Sequence, residues 1–250
     1  MSNEGRGRVR AERSTKRVRV TFGGQVIADT TRPLLVWEVP YFPAYYIPRK
    51  DVSDVLEPTG NTKHSPSRGE GRLSTVRVGE REAVDAATEY PDSPIEALRD
   101  HVRLDFAAMD AWFEEDEEIY VHPRDPYTRV DILSSSRHVR IEIDGVTVAE
   151  STQPRLLFET GKPTRYYLPK IDVRLELLEP SDTVTSCPYK GDAGYWSVRI
   201  GDELHKDIAW FYRAPLAESQ QVTGLVAFYD EKVDVFLDGV KQERPKTIFA

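Results

Sequence analysis

The sequence predicts an all-β protein, mainly strands with short helices, built as two tandem domains of antiparallel sheets. Three observations lead there. Apolar and polar residues alternate over short runs, turn residues punctuate the chain between those runs, and the second half repeats the first. Short alternating strands at turn spacing are the pattern of a sandwich or barrel-like unit.

Each element has a local reason. Residues 18–22 and 139–143 alternate with period 2, as a half-buried strand does. Gly23-Gly24 and Asp144-Gly145 follow, supplying the positive-φ residues of a tight hairpin. The returning strands are expected at 26–28 and 146–149. Pro33 and Pro154 interrupt any helix there, and strands resume at 34–38 and 156–159. The run 195–200 is again β-rich and ends at Gly201-Asp202. A further pair of strands is expected at 225–229 and 233–237, around Asp230-Glu231-Lys232. Only 95–103 and 216–221 read as short helices.

The repeat is direct. From Val18 to Glu38 and from Val139 to Glu159, at a constant offset of 121, eight of 21 positions are identical. The match continues as Tyr45-Tyr46-Ile47-Pro48-Arg49 against Tyr166-Tyr167-Leu168-Pro169-Lys170, and as Leu56-Glu57-Pro58 against Leu178-Glu179-Pro180. Ser65-Pro66-Ser67-Arg68-Gly69-Glu70 then faces Cys187-Pro188-Tyr189-Lys190-Gly191-Asp192. Such a period is too long for a solenoid, whose units run about 20 to 50 residues, so it marks a duplicated domain. The expected layout is a basic flexible tail at 1–15, a first copy at 16–126, a linker at 127–136 with its joint at Ser134-Ser135-Ser136, and a second copy at 137–250.

Composition excludes several classes. With 39% apolar residues, 30% charged ones and 10% aromatics, the chain is polar but rich enough in core formers to fold. No apolar run approaches the roughly 20 residues of a membrane span, and the N-terminal stretch lacks the apolar core of a secretory signal. A single cysteine, Cys187, excludes an internal disulfide and a multi-cysteine zinc site, so a cytoplasmic setting is the expectation. His64, His101, His122, His138 and His205 show no ligand spacing, and no metal or cofactor is expected. A net charge of −8 argues against nucleic acid, although residues 1–19 are locally basic.

Together, Phe22-Gly-Gly-x-Val-Ile-Ala-Asp-Thr-Thr31, Tyr45-Tyr46-Ile47-Pro48-Arg49, Leu56-Glu57-Pro58 and Cys187-Pro-Tyr-Lys-Gly-Asp-Ala-x-Tyr195-Trp196-Ser-Val198 resemble the domain-of-unknown-function 427 family. The resemblance covers 16–126 and 137–245. It implies a β-tent fold in each copy, two antiparallel sheets meeting at an angle around a pocket, as in methionine sulfoxide reductase B and the thalidomide-binding domain of cereblon. The family is sometimes labelled nucleotidyltransferase-like. The residues do not support that label: there is no Gly-Ser pair, and Asp110-Ala-Trp112 and Asp234-Val-Phe236 place an aromatic where a second metal-binding acid is needed. Phosphate-loop glycine motifs are absent as well.

The densest chemistry lies in the second copy. The loop Cys187 to Asp192 leads into Tyr195-Trp196, joining a basic side chain to aromatic rings that can stack on a planar group. A ligand pocket lined by Tyr166, Tyr167, Lys190, Tyr195 and Trp196 is the expectation, with strand alternation allowing only one of Tyr195 and Trp196 to face it. Cys187 and Lys190 are weak candidates for a catalytic role, because no Cys-His-acid pattern accompanies them. The first copy has Ser65, Ser67, Arg68, Leu73 and Ser74 in place of Cys, Tyr, Lys, Tyr and Trp, so its pocket is expected to be shallower or filled. The function read from these residues is small-molecule binding in the second copy, with or without a reaction. The alternative is a non-enzymatic binding or scaffold module for nucleic acid or an acidic partner. A monomer with a pseudo-symmetric pair of domains touching through 118–133 is the expected assembly.

Overall fold

The structure is a computed structural model that describes residues 9–247. Contacts divide the chain into two units, Met1–Asp125 and Pro126–Ala250. Within the described residues every strand ladder is antiparallel and the helical segments are short 3-10 turns. No helix among them is long and apolar enough to cross a membrane.

The first unit contains a seven-stranded sheet in the order Arg10–Arg13, Leu34–Val39, Phe42–Pro48, His101–Leu104, Arg81–Glu89, Gly69–Val78, Leu56–Ser65. Its second sheet runs Glu117–Ile119, Ala111–Glu114, Val18–Phe22, Gln25–Thr30. The second unit repeats this plan with one interruption. Val130–Ser134, Arg155–Glu159 and Arg165–Tyr167 form one ladder, and Val226–Phe228, Glu203–Tyr212, Gly191–Ile200 and Leu178–Cys187 form another. A single bridge, Leu168 to Val226, links them where the first unit has a continuous pairing. Facing them lie Val146–Ser151, Val139–Ile143, Asp234–Leu237 and Val240–Lys241.

Period-2 alternation places the apolar positions. Val18, Val20 and Phe22 point inward in one copy and Val139, Ile141 and Ile143 in the other, each no more than 4% exposed. Asp144 and Gly145 both adopt positive φ (50° and 77°), the backbone of a tight hairpin turn, and Gly23-Gly24 does the same. The large sheet also buries its other face: Leu34, Val36 and Tyr46 pack with Tyr90 and Leu98 in the first unit, and Ile132, Leu157, Tyr167, Tyr195 and Trp210 cluster in the second.

Four expectations change. Residues 1–8 of the expected basic tail lie outside the described residues, but Arg10–Arg13 is a strand paired with 34–37, so the first copy begins before residue 16. Its counterpart Val130–Ser134 pairs with Arg155–Glu159 at the same offset, so half of the expected linker, including Ser134 of the expected joint, is an edge strand of the second copy. The sequences Arg-Ala-Glu-Arg and Val-Asp-Ile-Leu-Ser share no residue type in register, because an edge strand is specified by backbone pairing more than by side chains. Residues 95–103 form only the turn Glu96–Leu98 before the strand His101–Leu104, whose alternating Val102 and Leu104 are buried. The strands near 225–229 and 233–237 do not pair with each other: Val226–Phe228 joins Glu203–Tyr212, and Asp234–Leu237 joins Val139–Ile143. The intervening Asp230 and Glu231 are buried, so the chain turns inward there and changes sheets.

Ile132 distinguishes an edge strand from a linker. It is 5% exposed and packs with Leu157 and Tyr167. Ile132→Ala should cost about 2–5 kcal/mol in denaturant unfolding, the range for truncating a buried aliphatic side chain. A neutral substitution would restore the linker.

Candidate functional site

The motif loop closes the hairpin between Leu178–Cys187 and Gly191–Ile200. Gly191 sits at φ 87°, and Gly69 holds the same angle at the matching turn of the first copy. This turn aims Lys190 inward, where it forms an ion pair with Glu159 at the end of Arg155–Glu159; the two side chains are 12% and 13% exposed. The first copy makes the same closure, with Arg68 Nη1 2.7 Å from Glu38 Oε1. Arg103 also pairs with Glu38 at 3.2 Å, and the Tyr46 hydroxyl donates to it at 2.6 Å. The Pro-basic-Gly geometry therefore neutralises a sequestered carboxylate in both copies. Lys190 is held by the protein itself.

The paired tyrosines separate. Tyr167 is 1% exposed, accepts a hydrogen bond from Trp210 Nε1 at 3.1 Å and meets that ring edge-on. Tyr195 joins the same core, its hydroxyl 2.8 Å from Thr185 Oγ1 and 3.2 Å from the Tyr229 hydroxyl. Burial pushes the Tyr167 and Tyr212 phenols above their ordinary range, so both stay neutral. Tyr166 packs on the opposite face, half-buried beside a separate cavity. Cys187 is half-buried. His205 pairs with Val198, whereas Cys187 pairs with Gly191, seven positions away along the strand and about 23 Å at 3.3 Å per residue. The histidine instead lies 2.8 Å from Asp144 Oδ2. It is no base for this thiol.

Trp196, half-buried, lies on the face opposite Tyr195. Its ring stacks on Phe211 at 4.3 Å, and Lys170 Nζ lies 5.1 Å from the Trp196 ring centre and 5.6 Å from that of Phe211. Gly194 makes the stack possible, since an added Cβ there would stand 2.8 Å from Phe211 Cζ. Lys170, Trp196, Phe211 and exposed Arg213 line a groove of 420 Å³ together with Tyr195, Pro180, Ser181, Thr223 and Gly224. Of the residues lining this groove, the sequence reading names Tyr195 and Trp196 and does not name Lys170, Phe211 or Arg213. A basic residue after the second Tyr-Tyr-x-Pro was the available signal. In the first copy Ser74 and Glu89 occupy the positions of Trp196 and Phe211, and Arg49, in place of Lys170, lies 3.6 Å from Glu89. An ion pair there replaces an aromatic floor.

The segment between the two repeats divides between the units. His122 stacks on Phe42 at 4.2 Å and Asp125 accepts from Trp37 Nε1 at 2.8 Å, both within the first. Arg129 pairs with Asp131 and bonds Thr160 within the second. Among the described residues, Asp144, Glu203 and His205 bring possible metal-ligand atoms within 4.8 Å of one another. Spacing along the sequence concealed that grouping because two hairpins supply it.

Two substitutions separate the ion pair from the groove. Lys190→Ala leaves Glu159 sequestered and uncompensated, and should cost about 3–5 kcal/mol in denaturant unfolding, while an apolar Lys190→Met/Glu159→Leu double variant recovers most of the loss. Gly194→Ala should push Phe211 off Trp196, lowering stability by about 1–3 kcal/mol and changing near-ultraviolet circular dichroism.

Comparison with known protein families matches two segments, residues 10–115 and 131–239, to the model described as a domain of unknown function, DUF427. No curated protein matches the chain. The two segments fall in the two units and each includes the edge strand at its start, so the chain belongs to the domain-of-unknown-function 427 family and carries its domain twice.

Proposed function

We propose that the second copy binds a planar, anionic small molecule in the groove floored by Trp196 and Phe211. The observation that carries this reading is the stacked aromatic pair flanked by two cations, Lys170 and Arg213, around 420 Å³ of open space. Ligand sites of this kind combine apolar walls with a few polar groups that set orientation. The rings offer apolar contact to a flat ligand, and the cations offer charge pairing to its carboxylate or phosphate. Lys190 contributes to this site only by holding the hairpin tip, through its pair with Glu159.

The nucleic-acid alternative draws less support. Arg10, Arg17 and Arg19 of the basic arm are paired with Glu12, Asp29 and Asp116, which cancels much of their local charge.

Titration with aromatic carboxylates and nucleoside monophosphates, followed by tryptophan fluorescence and calorimetry, tests the proposal. A hit should weaken about tenfold or more in Lys170→Ala and in Arg213→Ala, both at exposed positions. It should also weaken with added salt and be unaffected by Arg49→Ala in the first copy. Saturable binding that survives both second-copy substitutions would place the ligand elsewhere.

A further inference from the structure

A second cavity in the same copy arises from a difference in side-chain size between the copies. In the first, Tyr45 stacks on Trp112 at 6.3 Å, and Trp112 stacks on Phe106 at 5.1 Å; the indole is 2% exposed. Tyr166 takes the place of Tyr45 at the offset of 121. Strand pairing identifies the counterpart of the indole. Trp112 lies opposite Val20, and Ile141, the counterpart of Val20, lies opposite Val235. A valine therefore stands where the first copy has tryptophan.

The space left is a cavity of 170 Å³ bounded by Tyr166, Val233, Val235, Asp230, and the C-terminal residues Glu243 and Pro245. At about 30 Å³ per water-sized group, it accommodates five or six non-hydrogen atoms. Its C-terminal wall is held in place by Gln242 N–H donating to the Val235 carbonyl at 2.8 Å and by Arg244 pairing with Asp234 at 3.0 Å.

Charge at this cavity is negative. Arg165 is committed mainly to Glu231, bonding both carboxylate oxygens, and Thr247 also donates to Glu231. Arg165 reaches Asp230 only at 3.5 Å, beyond an ordinary hydrogen bond, although the Asp230 side chain is 8% exposed. The charged side chains lining the cavity are Asp230 and Glu243, and Arg165, which does not line it, is shared between Asp230 and Glu231.

We propose that this cavity is a binding site for a small alkylammonium group, with the charged nitrogen between Asp230 and Glu243 and the carbon chain against Tyr166 and Val235. A carboxylate accepts the ammonium protons, the tyrosine face attracts the cation, and the valines accept the alkyl part. An anion would meet two carboxylates, Asp230 and Glu243, in the lining. The site is separate from the Trp196 groove and stands whether or not that groove binds a ligand.

Burial pushes the Asp230 carboxyl up to about 7, with Arg165 opposing the shift and Glu231 adding to it. Tyr166, whose phenol is raised by burial and by Asp230, stays neutral, while Arg137, which weakly favours its ionised form, is paired with Asp238. A cation favours ionised Asp230, so binding should strengthen as the pH rises from 6 to 8.

Nuclear magnetic resonance titration of the full chain with n-butylammonium, with butyrate as control, tests the assignment. The expected result is saturable shifts at Tyr166, Val233 and Val235 with the amine and none with butyrate. Asp230→Asn, which preserves volume, should weaken the amine about tenfold or more, and Val235→Trp should abolish its binding by filling the cavity as the first copy does. Affinity at pH 8 should exceed that at pH 6 for the unaltered chain and not for Asp230→Asn. Absence of saturable shifts, equal binding of butyrate, or undiminished binding in Asp230→Asn would overturn the proposal.

Discussion

In each unit, the structure depends on one central sheet whose two faces are both buried. Leu35, Tyr45 and Ile47 pack toward the small sheet, while Leu34, Val36 and Tyr46, alternating with them, pack on the other side. In the second unit Tyr166 and Leu168 face one core and Leu157 and Tyr167 the other. Adjacent strand residues point to opposite faces, so the tyrosine pair of each copy is divided between two environments. Tyr167 serves an aromatic core. Tyr166 lines a cavity.

Burial on both faces also traps carboxylates that water would otherwise solvate. Three of them are answered by a cation carried on a different strand or turn: Arg68 and Arg103 for Glu38, Lys190 for Glu159, Arg165 for Glu231. Desolvation makes such pairs costly to break and only weakly favourable to form. They fix which hairpin tip meets which strand end. The loop motif survives in the first copy as Pro, Arg and Gly because closure requires the charge; its aromatic residues are dispensable for that closure.

The two copies therefore share a framework and differ in what occupies it. Trp112 against Val235, Glu89 against Phe211 and Ser74 against Trp196 are exchanges of volume and polarity at matched backbone positions. Interiors pack densely, so one indole decides whether a site is core or cavity. The second copy's grooves arise from such exchanges, with no change in strand order.

The sequence by itself determined the all-β class, the duplication, the hairpin turns and the inward positions of Val18, Val20, Val139 and Ile141, because alternation and positive-φ turn residues are local properties. It also carried the family motifs and pointed to Tyr195 and Trp196. It did not reveal the edge strand Val130–Ser134, whose pairing is a backbone matter, or the turn at Asp230, where burial outweighs the usual exposure of acidic residues. Only the tertiary structure decided that Lys190 neutralises Glu159 while Lys170 lies over Trp196 and Phe211. Both lysines stand in basic motifs of similar appearance. What separates them is which strand end each turn brings close, and sheet pairing between residues far apart in the chain sets that distance.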